Sequence, residues 1–215
     1  MNFCPLCNSQ DNTLYSQDKT GEYRICSVCS LVFVLKKYYL DAQAEKARYD
    51  LHTNSSDDAG YRKYLTKVSD PVIKRIDKDA HGLDFGSGPG PTLSIIFEDA
   101  GFNMKIYDHF YARDEDVFKL KYNFITSTEV VEHLYKPKVV LDKLWSLLNE
   151  NGLLCILTQV YPCQEAFSSW YYKNDPTHVC FFSLKTLSWL AQLWQAELEI
   201  IEKDLFIFKK VPYGN

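Results

Sequence analysis

The sequence predicts an α/β fold, with a mostly parallel sheet covered on both faces, an antiparallel hairpin at its end and a small cysteine-bound module in front. Three observations carry this. From residue 82 onward, short apolar runs alternate with amphipathic helical stretches, the pattern of strands joined by crossover helices. Two short apolar runs at 198–201 and 205–208 close the chain with little between them, so they should pair as a hairpin at the sheet edge. Finally, Cys4 and Cys7, then Cys26 and Cys29, form two C-x2-C pairs eighteen residues apart.

That spacing lies within the pattern of four-cysteine zinc sites. Each C-x2-C turn aims two thiolates at one point, and two such turns close a tetrahedron around Zn2+. Four protein ligands fill the site, so the ion would be structural. Asp18-Lys19-Thr20-Gly21 reads as a hairpin turn, and Leu31–Leu35 as a strand leaving the second pair, which together give a zinc ribbon over residues 1–40. Two disulfides or chance spacing are the alternatives. The odd total of seven cysteines and a reducing compartment both count against disulfides. Cys155 and Cys180 lie in apolar runs and read as small core residues.

Residues 41–80 are polar and helix-prone, a helical linker or lid. One helix is predicted over 61–68 and another after Asp70-Pro71, with Asp as cap and Pro in the first turn. The sheet domain is expected over 81–215, with strands at 82–85, 105–108, 124–127 and 153–158 and helices at 92–100, 138–148 and 183–194. Asn149–Gly152 is expected to terminate the second of these helices.

Composition narrows the function. Lys+Arg number 24 against Asp+Glu 28, a net charge of −4; the ribbon's own balance is only +1. That argues against non-specific nucleic-acid binding, which needs many phosphate-neutralising cations. No apolar run approaches the ~20 residues that span a bilayer, and the first residues show no basic and apolar leader pattern. The expected setting is therefore cytoplasmic, without membrane attachment.

The chemistry concentrates in Leu83-Asp84-Phe85-Gly86-Ser87-Gly88-Pro89-Gly90, a strand, glycine loop and helix start. Glycine lets backbone turn sharply or lie against a ligand. Asp84 at the mouth of the loop would repel a pyrophosphate and suit a cation. Asp108 closes the next strand, where an acid can accept ribose hydroxyls. The Lys-Ser/Thr pair of phosphate-binding loops is missing.

This segment resembles motif I of class I S-adenosylmethionine-dependent methyltransferases. Asp108 falls where that family places its ribose-binding acid. Phe124–Leu134 is similar to its fourth-strand motif, Asn151-Gly152-Leu153-Leu154 to the turn into its fifth strand, and Asp175–Val179 with Phe182-Ser183 to a later segment of several small-molecule methyltransferases. With the ribbon in front, the chain resembles a group of bacterial zinc-ribbon methyltransferases. The resemblance implies a Rossmann-like sheet in which Asp84, Gly86 and Gly88 hold the methionine part of S-adenosylmethionine, Asp108 holds the ribose, and Thr128 and Glu129 line the wall near the sulfonium. Only fifteen residues separate Asp108 from Phe124, so the third-strand region should be shortened or lost. Asp114-Glu115-Asp116 is the one acidic candidate there for an adenine contact.

His178 is the candidate base, since histidine titrates near neutral pH; alternatively, Asp175 and His178 brace a turn. Glu132 either faces the pocket or caps a helix. Tyr49, His52 and Tyr61 could fold over the cofactor or pack in the core, and Trp170-Tyr171-Tyr172 could form a substrate wall. The expected substrate is a small molecule or a protein side chain. The rival readings are a sugar C-methyltransferase, and a non-catalytic cofactor-binding module that uses its ribbon to bind RNA or protein. The oligomeric state is open.

Overall fold

A computed structural model describes residues 2–51 and 55–212. It begins with β1 (Asn12–Asp18), β2 (Gly21–Cys26) and β3 (Val32–Val34), an antiparallel set. Asp18 accepts the Thr20 N–H at 2.8 Å, which sets the β1–β2 turn. Next come α1 (Ala42–Tyr49) and α2 (Ala59–Ile73), capped by the side chains of Asp41 and Asp58. The two helices expected on either side of Asp70-Pro71 are one. Pro71 stands in the last turn of α2 and removes a single donor, while Leu65, Val68 and Val72 stay buried and hold the helix through it.

The main sheet follows: β4 (His81–Phe85), α3 (Thr92–Asp99), β5 (Asn103–Tyr107), β6 (Tyr122–Thr128), α4 (Pro137–Leu147), β7 (Leu148–Leu157), α5 (Gln164–Phe167), β8 (Cys180–Phe181), α6 (Leu184–Trp194), β9 (Ala196–Glu202) and β10 (Leu205–Lys210). Strand order is β5-β4-β6-β7-β10-β9. The first four strands are parallel; β10 runs antiparallel to both β7 and β9, as the short link between the last two strands requires.

Residues 149–152 belong to β7 instead of ending α4. Tyr122 pairs with Leu148 and Phe124 with Leu153, so these four residues bulge out, with Asn151 at φ 60°. Between β5 and β6 only a 3-10 turn, Glu115–Lys119, interrupts the loop. The third strand is thus absent among the described residues, and β5 is the sheet edge.

Alternation along the strands sorts side chains to two faces. Leu153, Cys155, Leu157, Leu205 and Ile207 pack with Leu65, Val68, Val72, Leu93 and Phe97 from α2 and α3. Leu154, Ile156, Phe206 and Phe208 face the other way, onto Leu141, Leu144, Leu187 and Leu190 from α4 and α6. Each such side chain contributes about 1.5–3 kcal/mol on burial.

The second core also takes in the N-terminal sheet. β8 pairs with β3 through Val32 and Phe181, and through Phe33 and Cys180, so a strand from the main domain completes a four-stranded sheet. Phe167 stands between them, edge-on to Tyr15, Tyr23 and Phe181 at 5.1–5.5 Å. Tyr161 donates to the Ser30 carbonyl at 2.8 Å, and Lys173 pairs with Asp18 at 2.5 Å.

Candidate active site

The carboxyl ends of β4, β5 and β6 open into a cavity of about 840 Å³. Strand order reverses there, since β5 lies on one side of β4 and β6 on the other, and open parallel sheets place ligands at that switch. Glu45, Asp84, Asp108, Glu129 and Asp175 line the cavity; among the described residues, Lys136 is the one ammonium group that does so.

One wall is the glycine loop. The Gly86 N–H donates to the Tyr107 carbonyl at 2.7 Å, and Gly86 sits at φ +84°, where an added Cβ would fall 2.3 Å from Val130. Gly88, at φ +65°, faces open space. Asp84 is 3% exposed and accepts from Thr126 Oγ1 at 2.8 Å and Ser94 Oγ at 3.4 Å. Burial raises its carboxyl to about 6 against the pull of those hydroxyls. Asp108 takes the Gly88 N–H on Oδ2 at 2.9 Å and those of Phe110 and Tyr111 on Oδ1 at 2.8 and 3.1 Å, so it fastens one loop to the other. Two buried hydroxyls in the lining, Ser87 Oγ and Thr128 Oγ1, have no hydrogen-bond partner among the described residues.

The opposite wall gathers residues distant in sequence. Glu129 adopts φ 53° at the end of β6 and accepts from Tyr172 Oη at 2.8 Å and Tyr64 Oη at 3.4 Å. Glu132, in the 3-10 turn Val131–His133, is 0% exposed. It sits behind the lining, held by Tyr172 Oη and by Thr158 Oγ1 at 2.9 Å. Burial, then the charge of Glu132, raises Glu129 to about 8; burial raises Glu132 as well.

His178 lines the cavity. Its Nδ1 lies 2.7 Å from the Tyr172 carbonyl, which can only accept, so Nδ1 carries the proton and Nε2 the lone pair. Burial, then neighbouring His133, lowers its pKa to about 4, so the ring is neutral at pH 7. Asp175 shapes the preceding turn, accepting from Thr177 and from Arg48 Nε and Nη2 at 3.0 and 2.8 Å. Those partners outweigh burial and hold its carboxyl well below the usual range.

Tyr49, Tyr61 and Tyr64 of α1 and α2 complete the lining; His52 lies outside the described residues. Trp170 packs against Phe167 and Phe181, and Tyr171 is exposed. Tyr172, the buried member of that cluster, ties the two glutamates together, a role that nothing local in the sequence marks. The Asp114-Glu115-Asp116 expectation is corrected. None of the three lines the cavity; Asp114 caps the 3-10 turn, Glu115 pairs with Arg113 and Asp116 with Lys119. His109, Phe110 and Tyr111 line the cavity beside Asp108 instead.

The sequence profile described as a methyltransferase domain matches residues 57–203. The chain belongs to the methyltransferase family. Similar solved folds agree. The magnesium protoporphyrin IX methyltransferase of Synechocystis, with bound S-adenosylhomocysteine, superposes with TM-score 0.52 at 12% identity, over 81% of this chain and 97% of that one. A S-adenosylmethionine-dependent methyltransferase from Methanosarcina mazei gives 0.50 at 11% identity, over 66% and 97%. An O-methyltransferase family protein from Burkholderia thailandensis gives 0.50 at 13%, over 80% and 64%. No curated protein matches the chain. This methyltransferase is an enzyme on a Rossmann-like sheet, and no helix among its described residues is long and apolar enough to cross a membrane.

In this methyltransferase Asp84, Gly86, Gly88, Asp108, Thr128 and Glu129 share one cavity with His178, whereas Glu132 stands one layer behind. Outside the cavity lining, Cys4, Cys7, Cys26 and Cys29 bring their sulfurs within 4.8 Å of one another. Their knuckles match. The Asn8 N–H donates to Cys4 and the Ser30 N–H to Cys26, each at 2.9 Å, and the Cys4 and Cys26 N–H groups donate five residues onward at 2.9 Å. Asn8 and Ser30 both adopt φ near 60°.

Proposed function

We propose that the chain moves a methyl group from S-adenosylmethionine to a small molecule or a projecting protein side chain. The observation that carries this is the acid-lined cavity at the strand switch with two buried hydroxyls, Ser87 Oγ and Thr128 Oγ1, left for a guest. The cofactor supplies an electrophilic methyl carbon on a sulfonium.

The chain's own residues would do the rest. Gly86 and Gly88 keep side chains out of the loop, and Asp84 sits where the cationic amino-acid end would lie. Asp108 still has lone-pair capacity beyond its three backbone donors for a ribose hydroxyl. Thr128 and Glu129 line the far side. Tyr49, Tyr61 and Tyr64 line the cavity with aromatic rings and would favour an acceptor small enough to pass between them. His178, neutral and with its tautomer fixed, takes the acceptor's proton on Nε2. Nucleic-acid acceptors are disfavoured by the acidic lining.

The four-cysteine set suits a structural zinc ion. A tetrahedron with Zn–S bonds of about 2.3 Å separates its sulfurs by about 3.8 Å. Here Cys4–Cys29 and Cys7–Cys26 stand at 3.5 and 3.3 Å. Free thiols throughout fit a reducing, cytoplasmic setting.

Calorimetric titration with S-adenosylhomocysteine, ADP and NAD+ tests the reading. One equivalent of S-adenosylhomocysteine should bind with neither nucleotide competing. Binding of NAD+ without S-adenosylhomocysteine would overturn it.

A further inference from the structure

The wall behind His178 carries more than a base needs. Glu132, His133 and His178 each offer a ligand atom within 4.8 Å of the others, and His133 Nε2 stands 4.0 Å from Glu132 Oε1. Both rings are turned the same way. His133 Nδ1 lies 3.3 Å from the Thr177 carbonyl and His178 Nδ1 2.7 Å from that of Tyr172, so each Nδ1 donates and each Nε2 is the basic nitrogen. Imidazoles that bind metals are held in this way, through the other ring N–H on a backbone carbonyl.

The third member is a fully buried carboxylate. Tyr172 Oη joins it to Glu129, and among the described residues neither glutamate forms an ion pair with a lysine or arginine. Arg48 is committed to Asp175 and Lys173 to Asp18. Buried acids without an ammonium partner hold their protons in the empty protein, and a cation bound beside them would displace a proton and favour the ionised form.

We propose that Glu132, His133 and His178 form a site for one first-row divalent cation, such as Mn2+, Co2+ or Zn2+, at the inner wall of the cavity. Two imidazoles and a carboxylate are borderline to hard donors that suit such ions. Ligand bonds of about 2.1 Å set neighbouring donors about 3.0–3.4 Å apart, so the three groups close by about an ångström on binding. His133 and His178 line the cavity and Glu132 sits behind them. The ion's remaining positions therefore face the space where the acceptor enters. An acceptor oxygen or nitrogen bound there is both positioned and made more acidic. With the cation bound, His178 Nε2 serves as a ligand and not as a base, and the proton of the acidified acceptor leaves to solvent water. The inference rests on the cavity being the methyl-transfer site.

The test uses protein holding one zinc ion per chain, enough for the four cysteines alone, titrated with Mn2+ and followed by the paramagnetic resonance of free Mn2+. Thiolates prefer softer ions, so the ribbon keeps its zinc. The proposal requires one bound Mn2+ per chain, and at least tenfold weaker binding in His133→Ala, His178→Ala and Glu132→Gln. In the unaltered protein, nitrogen modulation from two imidazoles must appear on the bound ion, a readout that does not depend on any variant folding. Absence of Mn2+ binding, binding that survives all three substitutions, or a bound ion without nitrogen modulation overturns the site. S-adenosylhomocysteine affinity, measured in the same samples, reports separately on the methyltransferase reading and need not follow the metal result.

Discussion

The two walls of the cavity are built by opposite strategies. The glycine-loop wall uses one continuous stretch, 84–111, in which backbone N–H groups and single carboxylates set the shape. The far wall draws Glu129 and Glu132 from the end of β6, Thr158 from the end of β7, and Tyr172 and His178 from the segment entering β8. The first wall rests on β4 and β5, with Thr126 of β6 holding Asp84 from behind. The second depends on β8, whose partner is a strand of the cysteine-bound sheet. Val179, at the start of this seam, donates to the Glu132 carbonyl at 2.8 Å and accepts from the Val34 N–H at 2.9 Å. An ion held by the four cysteines, as proposed, would thereby be linked to the far wall of the cavity and not to the glycine-loop wall.

Loss of that ion is the strongest way to break the comparison. Cys26→Ser should release zinc and remove part of the ~10–16 kcal/mol that structural zinc contributes in small peptides, releasing β3 from β8. Methyl transfer should collapse, while S-adenosylhomocysteine affinity should stay within about 0.5 kcal/mol, the usual coupling between separate sites. Elemental analysis and calorimetry read the two halves. Equal loss of both functions would show that the walls are not independent.

Next comes the seam itself. Phe167 is fully buried among Tyr15, Tyr23 and Phe181, so Phe167→Ala should cost about 3–5 kcal/mol in urea unfolding. A loss under about 1 kcal/mol would be that of an exposed position and would move the weight of the seam onto the β3–β8 hydrogen bonds.

How each wall registers in the sequence follows from the same contrast. The glycine loop and Asp108 were legible because their geometry is local. Positive-φ glycines beside a strand end, and an acid at the next strand end, leave marks at fixed spacing. The four cysteines were legible for the same reason. The Glu129–Tyr172–Glu132 network left no such mark, since its members are separated by up to 43 residues and any buried tyrosine reads as core. Pro71 and Asn149–Gly152 misled for a related reason. Each is a local stop signal overridden by burial of its neighbours, Val72 in α2 and Leu148 in β7.

On the near wall, Asp108→Ala should weaken S-adenosylhomocysteine binding by about 1.5–3 kcal/mol, the worth of a hydrogen bond to a charged group. Asp108→Asn keeps one oxygen to accept from the loop and should lose less. Unchanged affinity in both variants would leave Asp108 a fastener of loops and return the ribose contact to other groups.

The smallest effect concerns Asp84 and has two signs. An unfolded aspartate titrates near 3.8, and in the folded protein burial raises Asp84 to about 6. Its contribution to stability is therefore whole below about 3.8 and is lost as pH rises through about 6. Thermal melts of the protein without cofactor should accordingly fall across that window. Asp84→Asn removes the titration, so the variant's melting should be flatter there. At pH 8 the variant should be the more stable by about 1–2 kcal/mol, because no buried charge remains. The same substitution should lower affinity for S-adenosylmethionine, because the carboxylate that burdens the empty protein is the group that favours a cationic guest. A variant that loses stability at pH 8 while binding as well as the unaltered protein would mean that Asp84 serves Thr126 and Ser94 alone.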